Sequence, residues 1–249
     1  MDNNKQVSKK GYEPITAQQM YRIENNGEEI LGMRKILMME NAGSRVSDFL
    51  LGYFKDLSKK KVVSICGMGN NGGDAMVANR HLSGHLSSKF PSSNNNNNIN
   101  LVLALSGKPD LIKTEESRTN WNIVNRMNSI KKIFFDTEYG IKDLEDEIEK
   151  SDIIIDGLFG TGIKGTIKDP YSRIIDKINQ QKSKSFILSV DIPSGLNPDD
   201  GEISDKCVKA DTTITFHRIK QGLLKNIEHS GNILPVKIGI PVEAEMELV

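Results

Sequence analysis

Short apolar runs alternate with longer amphipathic stretches along most of this chain. Five runs rich in β-branched residues predict strands: Lys61 to Cys66, Leu101 to Leu105, Lys132 to Phe135, Asp152 to Ile155 and Phe186 to Val190. The stretches between them are long enough for helices, so the pattern predicts an α/β fold with a mostly parallel sheet and helices on both faces. Two more runs, Asp211 to Phe216 and Ile233 to Ile238, are expected to add strands at one edge.

Two helices are expected before this alternating part. Thr16 and Gln19 have the spacing of a capping box, which predicts a helix over Ala17 to Ile30. Apolar residues at helical spacing predict a second helix from Met33 to Phe54. We interpret residues 1–249 as one domain, with residues 1–12 disordered and the asparagine-rich segment 91–99 as a surface-loop insertion.

Composition excludes several partners and locations. The 33 basic and 33 acidic residues cancel, so the chain has no field of one sign to hold nucleic acid or an anionic membrane. No apolar run is long enough for a membrane span. We therefore expect a cytoplasmic protein with buried, reduced thiols at Cys66 and Cys207, and a mitochondrial presequence is the alternative because Lys5, Lys9 and Lys10 outnumber Asp2.

Two glycine-rich loops follow predicted strands. Gly67, Gly69 and Gly72 have the G-x-G-x-x-G spacing, and so do Gly160, Gly162 and Gly165. A strand that leads through glycines into a helix presents backbone N–H groups to anionic phosphate, so the loops predict a phosphate or dinucleotide site. Simple tight turns are the alternative. The acid that usually binds the adenosine ribose is missing, since the first acid after the second strand is Asp110, well into its loop.

A third loop, Asp191-Ile192-Pro193-Ser194-Gly195, also follows a strand. Parallel strands share one carboxyl edge, so the polar residues of the three loops are expected to converge there. They are Asn71, Asp74, Asp156, Asp191 and Ser194. Carboxylate, amide and hydroxyl oxygens suit a hard cation and acid/base chemistry, and they do not suit zinc. Alternatively, Asp74 caps a helix and Asp191 forms a turn.

Four blocks in these regions resemble the NAD(P)H-hydrate epimerase family, also called the YjeF N-terminal domain. The blocks are Met39 to Gly43, Gly69 to Asp74, Asp156 to Gly162 and Val190 to Gly195. Asn-Asn-Gly-Gly-Asp together with Asp-Ile-Pro-Ser-Gly is highly specific. Ala75 departs from the family's usual glycine, which is harmless inside the first turns of a helix.

The resemblance implies a Rossmann-like fold and an isomerase of metabolite repair. Family members interconvert the R and S forms of NADHX and NADPHX, which are hydrates of NADH and NADPH, so that a dehydratase can restore them. The damaged dinucleotide is then the substrate and not a cofactor. The resemblance also implies a homodimer and a functional link to NAD(P)H-hydrate dehydratase.

The resemblance also assigns residues to the substrate and to a potassium ion, one ion per subunit. Asn71, Asp156 and Ser194 are expected to bind K⁺. The expected substrate-binding residues are Asn70, Asn71, Gly72, Gly73, Asp74, Gly160, Thr161, Gly162, Ile163, Lys164, Gly165, Thr166 and Asp191. Our hypothesis makes Asp74 and Asp191 the catalytic acid and base, in either order, with Lys164 helping to hold phosphate.

Two other functions remain open at this point. A binding or scaffold protein could use the same fold without turnover, because a fold alone does not establish activity. A nicotinamide-dependent oxidoreductase would also explain the two glycine spacings, although the missing ribose acid counts against it.

Overall fold

The computed structural model describes residues 13–87, 100–162, 165–203 and 205–246. Residues 1–12, which are expected to be disordered, lie outside the described residues. So do residues 91–99, which are expected to form a surface-loop insertion. Within the described ranges the strands are β1 (Val62–Cys66), β2 (Leu101–Leu105), β3 (Lys131–Phe134), β4 (Ile153–Gly157), β5 (Phe186–Val190), β6 (Thr212–Phe216) and β7 (Asn232–Val236). The helices there are α1 (Ala17–Glu29), α2 (Lys35–Tyr53), α3 (Asn70–Ser87), α4 (Glu115–Val124), α5 (Glu138–Glu149), α6 (Tyr171–Gln180), α7 (Gln221–Lys225) and α8 (Ile227–Ser230).

The seven strands form one sheet in the order β3-β2-β1-β4-β5-β6-β7, and every neighbouring pair is parallel. This confirms the predicted sheet, including the two added strands at one edge. The bounds of the seven strands differ from the predicted bounds by at most two residues. The chain runs outward from β1 in both directions, so the loops after β1 and β4 meet at the switch point, where α/β proteins bind ligands.

Helices cover both faces of the sheet, as predicted. On one face, residues such as Cys66, Leu103 and Ile155 pack against α1, α2, α3 and α4. On the other face, Ile65 and Ile154 pack against α5 and α6. The strands β1, β2, β4 and β6 are buried along their whole length, which explains the mostly apolar sequences of the first three.

Helix α1 contacts the turn formed by Val242–Glu245, and the segment before α1 pairs with the segment that follows β6. The helix begins with the predicted capping box between Thr16 and Gln19. Just before it, Ile15 forms a parallel bridge with Lys220, through N–H bonds from Ile15 to Ile219 O (2.8 Å) and from Gln221 to Ile15 O (3.0 Å). The first helix is therefore fixed to the segment that follows β6.

Both cysteines are buried and unpaired, as expected. Within the described ranges, the search for a membrane-crossing segment found no helix that is both long and apolar enough.

Candidate functional site

The loops after β1 and β4 touch through their backbones at the switch point. The N–H of Gly67 donates to Gly157 O at 2.9 Å. A Cβ on Gly67 would lie 1.9 Å from Leu158 O, and one on Gly72 would lie 2.0 Å from Gly67 O. These two glycines are required because backbone atoms occupy the space of a side chain. Ala75 lies inside α3 and has no positive φ, which confirms that its methyl group is tolerated.

The variant Gly72→Ala is expected to lose about 1–3 kcal/mol of unfolding free energy, because its methyl group must push the Gly67 carbonyl away. The matched control is Gly69→Ala, which has nothing within 4 Å of the added carbon and should change stability by less than about 0.5 kcal/mol. Denaturant unfolding of both variants measures the difference. Equal stability of the two variants would contradict this account of the loop.

The residues expected to bind a cation come together around the carboxyl end of β4. Asp156 is fully buried and accepts hydrogen bonds from the Ser194 N–H at 2.8 Å, from the Ser189 hydroxyl at 2.8 Å and from the Ser194 hydroxyl. The Ser194 hydroxyl in turn accepts from the Phe159 N–H at 2.8 Å. Asn71 donates to the Phe159 carbonyl at 2.7 Å. Three loops are thus joined at one buried carboxylate.

This carboxylate has no basic partner among the described residues. Burial raises the pKa of Asp156, while hydrogen bonds from Ser194, Ser189 and Leu158 act in the opposite direction. A monovalent cation would supply the missing charge, and the neutral oxygens of Asn71 and Ser194 suit it as further ligands. The described part of the chain holds no group of three or more His, Cys, Asp or Glu residues that could bind a metal.

Asp191 follows β5 and has a left-handed backbone with φ of 60°. Its Oδ1 accepts hydrogen bonds from the Phe216 N–H at 2.9 Å and from the Thr215 hydroxyl at 3.2 Å. The same oxygen accepts from the ammonium of Lys220. Asp191 is therefore fixed by its own turn and by the end of the neighbouring strand.

Lys220 is a candidate site residue that the sequence reasoning missed. It is 1% exposed. Besides the ion pair with Asp191, its ammonium donates to the Phe216 carbonyl at 3.0 Å and to the Thr215 hydroxyl at 3.3 Å. A signal was present, because Lys220 follows the carboxyl end of a predicted strand, as the recognised site residues do. A charged residue that follows a parallel strand lies near the carboxyl edge of the sheet, where the site forms.

Asp74 lies on α3 and is 8% exposed. Burial raises its pKa well above the usual range, and the nearby carboxylates of Asp191 and Glu24 raise it further, while Lys220 acts in the opposite direction. Glu24 comes from α1 and, with Asp74 and Asn70, lines a cavity of about 50 Å³. No sequence motif marks Glu24, because only the docking of α1 brings it here.

The second glycine-rich loop is the open side of the site. Gly160 lies beside Asn71, where an added Cβ would be 3.4 Å from the Asn71 side chain. Thr161, Gly162, Gly165 and Thr166 are exposed, and so is Asn70 at the start of α3. Ile163 and Lys164, which are also expected to bind substrate, lie outside the described residues. The exposed backbone suits an anionic ligand.

The Met39 to Gly43 block holds α2 against its neighbours. A Cβ on Gly43 would lie 2.4 Å from Val77, so the helices α2 and α3 approach closely there. Glu40 pairs with Arg80 and, at 2.7 Å, with His81 on α3. Asn41 donates to the Ile238 carbonyl at 2.8 Å. The block thus positions the helix that carries Asn71 and Asp74.

An all-parallel doubly wound sheet with glycine-rich loops and buried acids at its switch point defines a Rossmann-like α/β protein with a nucleotide-type site. The family model described as "YjeF-related protein N-terminus" matches residues 35–222. The chain belongs to this family.

Two relatives match over almost their whole length. Both are named NAD(P)H-hydrate epimerase. The protein of Nitrosopumilus maritimus is 41% identical, covering 93% of this chain and 97% of the relative. The protein of Cenarchaeum symbiosum is 42% identical with the same coverage. A third relative, the "Bifunctional NAD(P)H-hydrate repair enzyme Nnr" of Pyrobaculum aerophilum, is 35% identical, and the match covers 94% of this chain and 43% of the relative.

A solved structure has the same fold. The crystal structure of the yeast protein ynu0, YNL200c, superposes with a TM-score of 0.68, covering 84% of this chain and 82% of the yeast chain at 23% identity. The similarity confirms the Rossmann-like fold with helices around a parallel sheet.

Proposed function

We propose that this protein is an NAD(P)H-hydrate epimerase, an isomerase that interconverts (R)- and (S)-NADHX and NADPHX. The observation that carries the proposal is the match to relatives of that name over 97% of their length. The site supports it, because Asp74 and Asp191 lie near each other at the edge of the sheet where nucleotides bind.

The reaction inverts a carbon that carries a hydroxyl beside the ring nitrogen. The nitrogen lone pair can expel the hydroxyl once an acid protonates it, so that water leaves and an iminium cation forms. Water then adds to the opposite face and gives its extra proton to a base. The net change is inversion at C6, and it requires one acid and one base.

The environments of the two aspartates support different roles. Asp74 is buried near two other carboxylates, which favours its protonated form, so we assign it to protonate the leaving hydroxyl. Asp191 is ion-paired with Lys220 and accepts the Phe216 N–H, so its carboxylate serves as a hydrogen-bond acceptor in the fold. We assign Asp191 as the base that activates the returning water.

The loop from Gly160 to Thr166 is proposed to hold the diphosphate of the substrate, together with Asn70 to Gly73. The first turn of α3 begins at Asn70, so its free N–H groups and helix dipole favour an anion beside the loop. Lys164 would add a positive charge. In this arrangement the dinucleotide is the substrate and needs no ribose acid of the usual kind.

The direct test follows purified (R)-NADPHX with the protein in potassium buffer, by chromatography that separates the epimers. Conversion to the S form well above the spontaneous rate is expected. Folded protein that binds the dinucleotide without accelerating conversion would support a binding or scaffold protein of the same fold.

We also propose that Asn71, Asp156 and Ser194 bind one K⁺ ion. The support is the buried Asp156 carboxylate without a basic partner, next to neutral amide and hydroxyl oxygens. The ion would supply positive charge and tie the three loops together, while Asn71 and Ser194 position the Phe159 backbone between the two glycine-rich loops.

Replacing tetramethylammonium chloride with KCl at equal ionic strength is expected to raise the melting temperature, because a ligand that binds only the folded state stabilises it. Ser194→Ala should lose this rise. Ser189→Ala is the matched control, since it also removes a hydroxyl bonded to Asp156 but no proposed ligand. Thermal unfolding in both salts measures the effect. A rise that persists in Ser194→Ala, or none in the unmodified protein, would exclude this ion site.

The bifunctional relatives named NAD(P)H-hydrate repair enzymes support a link to a second repair activity, and we propose the dehydratase that uses one epimer. The homodimer and the cytoplasmic location stay predictions from the sequence.

A further inference from the structure

Glu24 is placed at the site by contacts that fix α1 rather than by any motif. Ile15, just before the helix, is paired with the backbone on either side of Lys220. The N–H of Ala17 donates to Asp199 Oδ1 at 2.7 Å, and Asn26 donates to the Ala244 carbonyl at 3.0 Å. The half-buried Glu24 side chain is therefore held against the cavity that Asp74 lines.

Three carboxylates and one buried ammonium share this small region. They are Glu24, Asp74, Asp191 and Lys220. Lys220 donates directly to Asp191, so its charge is mainly compensated by that residue. Two acids, Glu24 and Asp74, then remain beside one cavity of about 50 Å³. A negative charge on Glu24 beside the same cavity disfavours ionisation of Asp74.

The other charged groups around Asp74 do not neutralise the repulsion between Glu24 and Asp74. Lys35 from α2 lines the same cavity, but its ammonium is bound to Asn25 at 2.9 Å and lies 3.4 Å from Glu28. Glu116 from α4 also lines the cavity and adds a further negative charge. Asp191 and Lys220 face Asp74 from the ends of β5 and β6.

We propose that Glu24 is a positioning residue that keeps the catalytic proton on Asp74 and so sets the upper pH limit of epimerisation. The inference rests on the proposed function and assigns to α1 a part in the chemistry. When Glu24 is ionised, loss of the Asp74 proton would create a second negative charge beside it. Burial raises the pKa of Glu24 itself, and Lys220 acts in the opposite direction. The charge of Glu24 therefore acts on the Asp74 proton across the cavity that both residues line.

The first test reads the Asp74 proton without activity. Infrared difference spectra taken during a pH titration show the protonated carboxyl band of Asp74, identified by its loss in Asp74→Asn. Glu24→Gln is expected to lower the midpoint of this band by roughly one pH unit, since one neighbouring negative charge is removed. Glu24→Asp should restore part of the shift. The matched control, Glu29→Gln, changes an exposed acid of the same helix and should leave the midpoint in place.

The second test measures kcat/KM against pH for the same variants. The pH above which kcat/KM falls is expected to be lower in Glu24→Gln by the same interval. At a given pH on this alkaline side of the profile, kcat/KM should therefore be about tenfold lower than in the unmodified protein. An unchanged infrared midpoint in folded Glu24→Gln would overturn the inference even if the unmodified protein epimerises. A shifted midpoint in a protein that does not accelerate epimerisation would show that Glu24 holds the proton on Asp74, but it would overturn the proposed function and with it the part of Glu24 in the reaction.

Discussion

Asp74→Asn is expected to lower kcat for epimerisation by about 10²- to 10⁴-fold, the usual contribution of a positioned general acid. The substitution keeps the shape of the side chain but removes the proton that the leaving hydroxyl needs. KM should change little, since the proton is needed in the transition state. Chromatographic separation of the epimers measures the rate. Asp110→Asn, which alters an exposed acid after β2, is the matched control and should keep full activity.

The stability of Asp74→Asn is an independent test of whether Asp74 is protonated in the folded protein. Because the folded pKa is raised, the folded protein holds a proton that the unfolded chain releases above about pH 4. The free energy of unfolding of the unmodified protein should therefore fall, relative to Asp74→Asn, as pH rises from that value through the folded pKa. Near neutral pH the variant should be at least as stable. A relative stability that rises with pH would mean that Asp74 is ionised in the fold.

Removing either partner of the buried ion pair between Lys220 and Asp191 is expected to have the largest effect on stability. Asp191→Asn should cost about 3–5 kcal/mol, because it leaves the buried Lys220 ammonium without its partner. Lys220→Met should cost less, because the Asp191 side chain is 17% exposed and keeps some contact with water. The double variant should be more stable than the sum of the two losses predicts. Asparagine also tolerates the left-handed backbone at position 191, so the turn itself is kept.

Urea unfolding of the four proteins measures the coupling between the two charges. The double variant should fold yet remain inactive, which separates the chemical role of Asp191 from its structural one. Additive losses of unfolding free energy would mean that the two charges do not stabilise each other. Full activity of the double variant would show that Asp191 has no role in the reaction. The unmodified protein and the double variant carry the same net charge, so general charge effects cannot explain a difference between them.

The sequence predicted much of the fold because its signals are local. The strands came from continuous apolar runs, and the structure has them within one or two residues. The capping box at Thr16 was readable because its two partners are three residues apart. The order of the strands was not readable, since each pairing joins residues far apart in the chain. That order decides which loops meet at the switch point.

Some residues of the candidate site were likewise predictable from the sequence, and others were not. Asn71, Asp156 and Ser194 belong to distinctive motifs at the ends of strands. In the structure Asn71 and Ser194 both bond to the Phe159 backbone, and Ser194 also bonds to Asp156. Lys220 was missed although it follows a strand, because a single lysine carries no motif. Glu24 could not be found at all, since a glutamate on an amphipathic helix usually faces solvent.

The sequence by itself determined the α/β class, the glycine-rich loops, the family and the oxygen-rich character of the site. These depend on residue type and short spacing, which the chain carries directly. Only the tertiary structure decided that Asp191 is ion-paired with a buried Lys220 and that Glu24 of α1 stands near Asp74. Burial and the approach of charges from distant segments set which carboxylate keeps its proton, and neither quantity exists until the chain is packed.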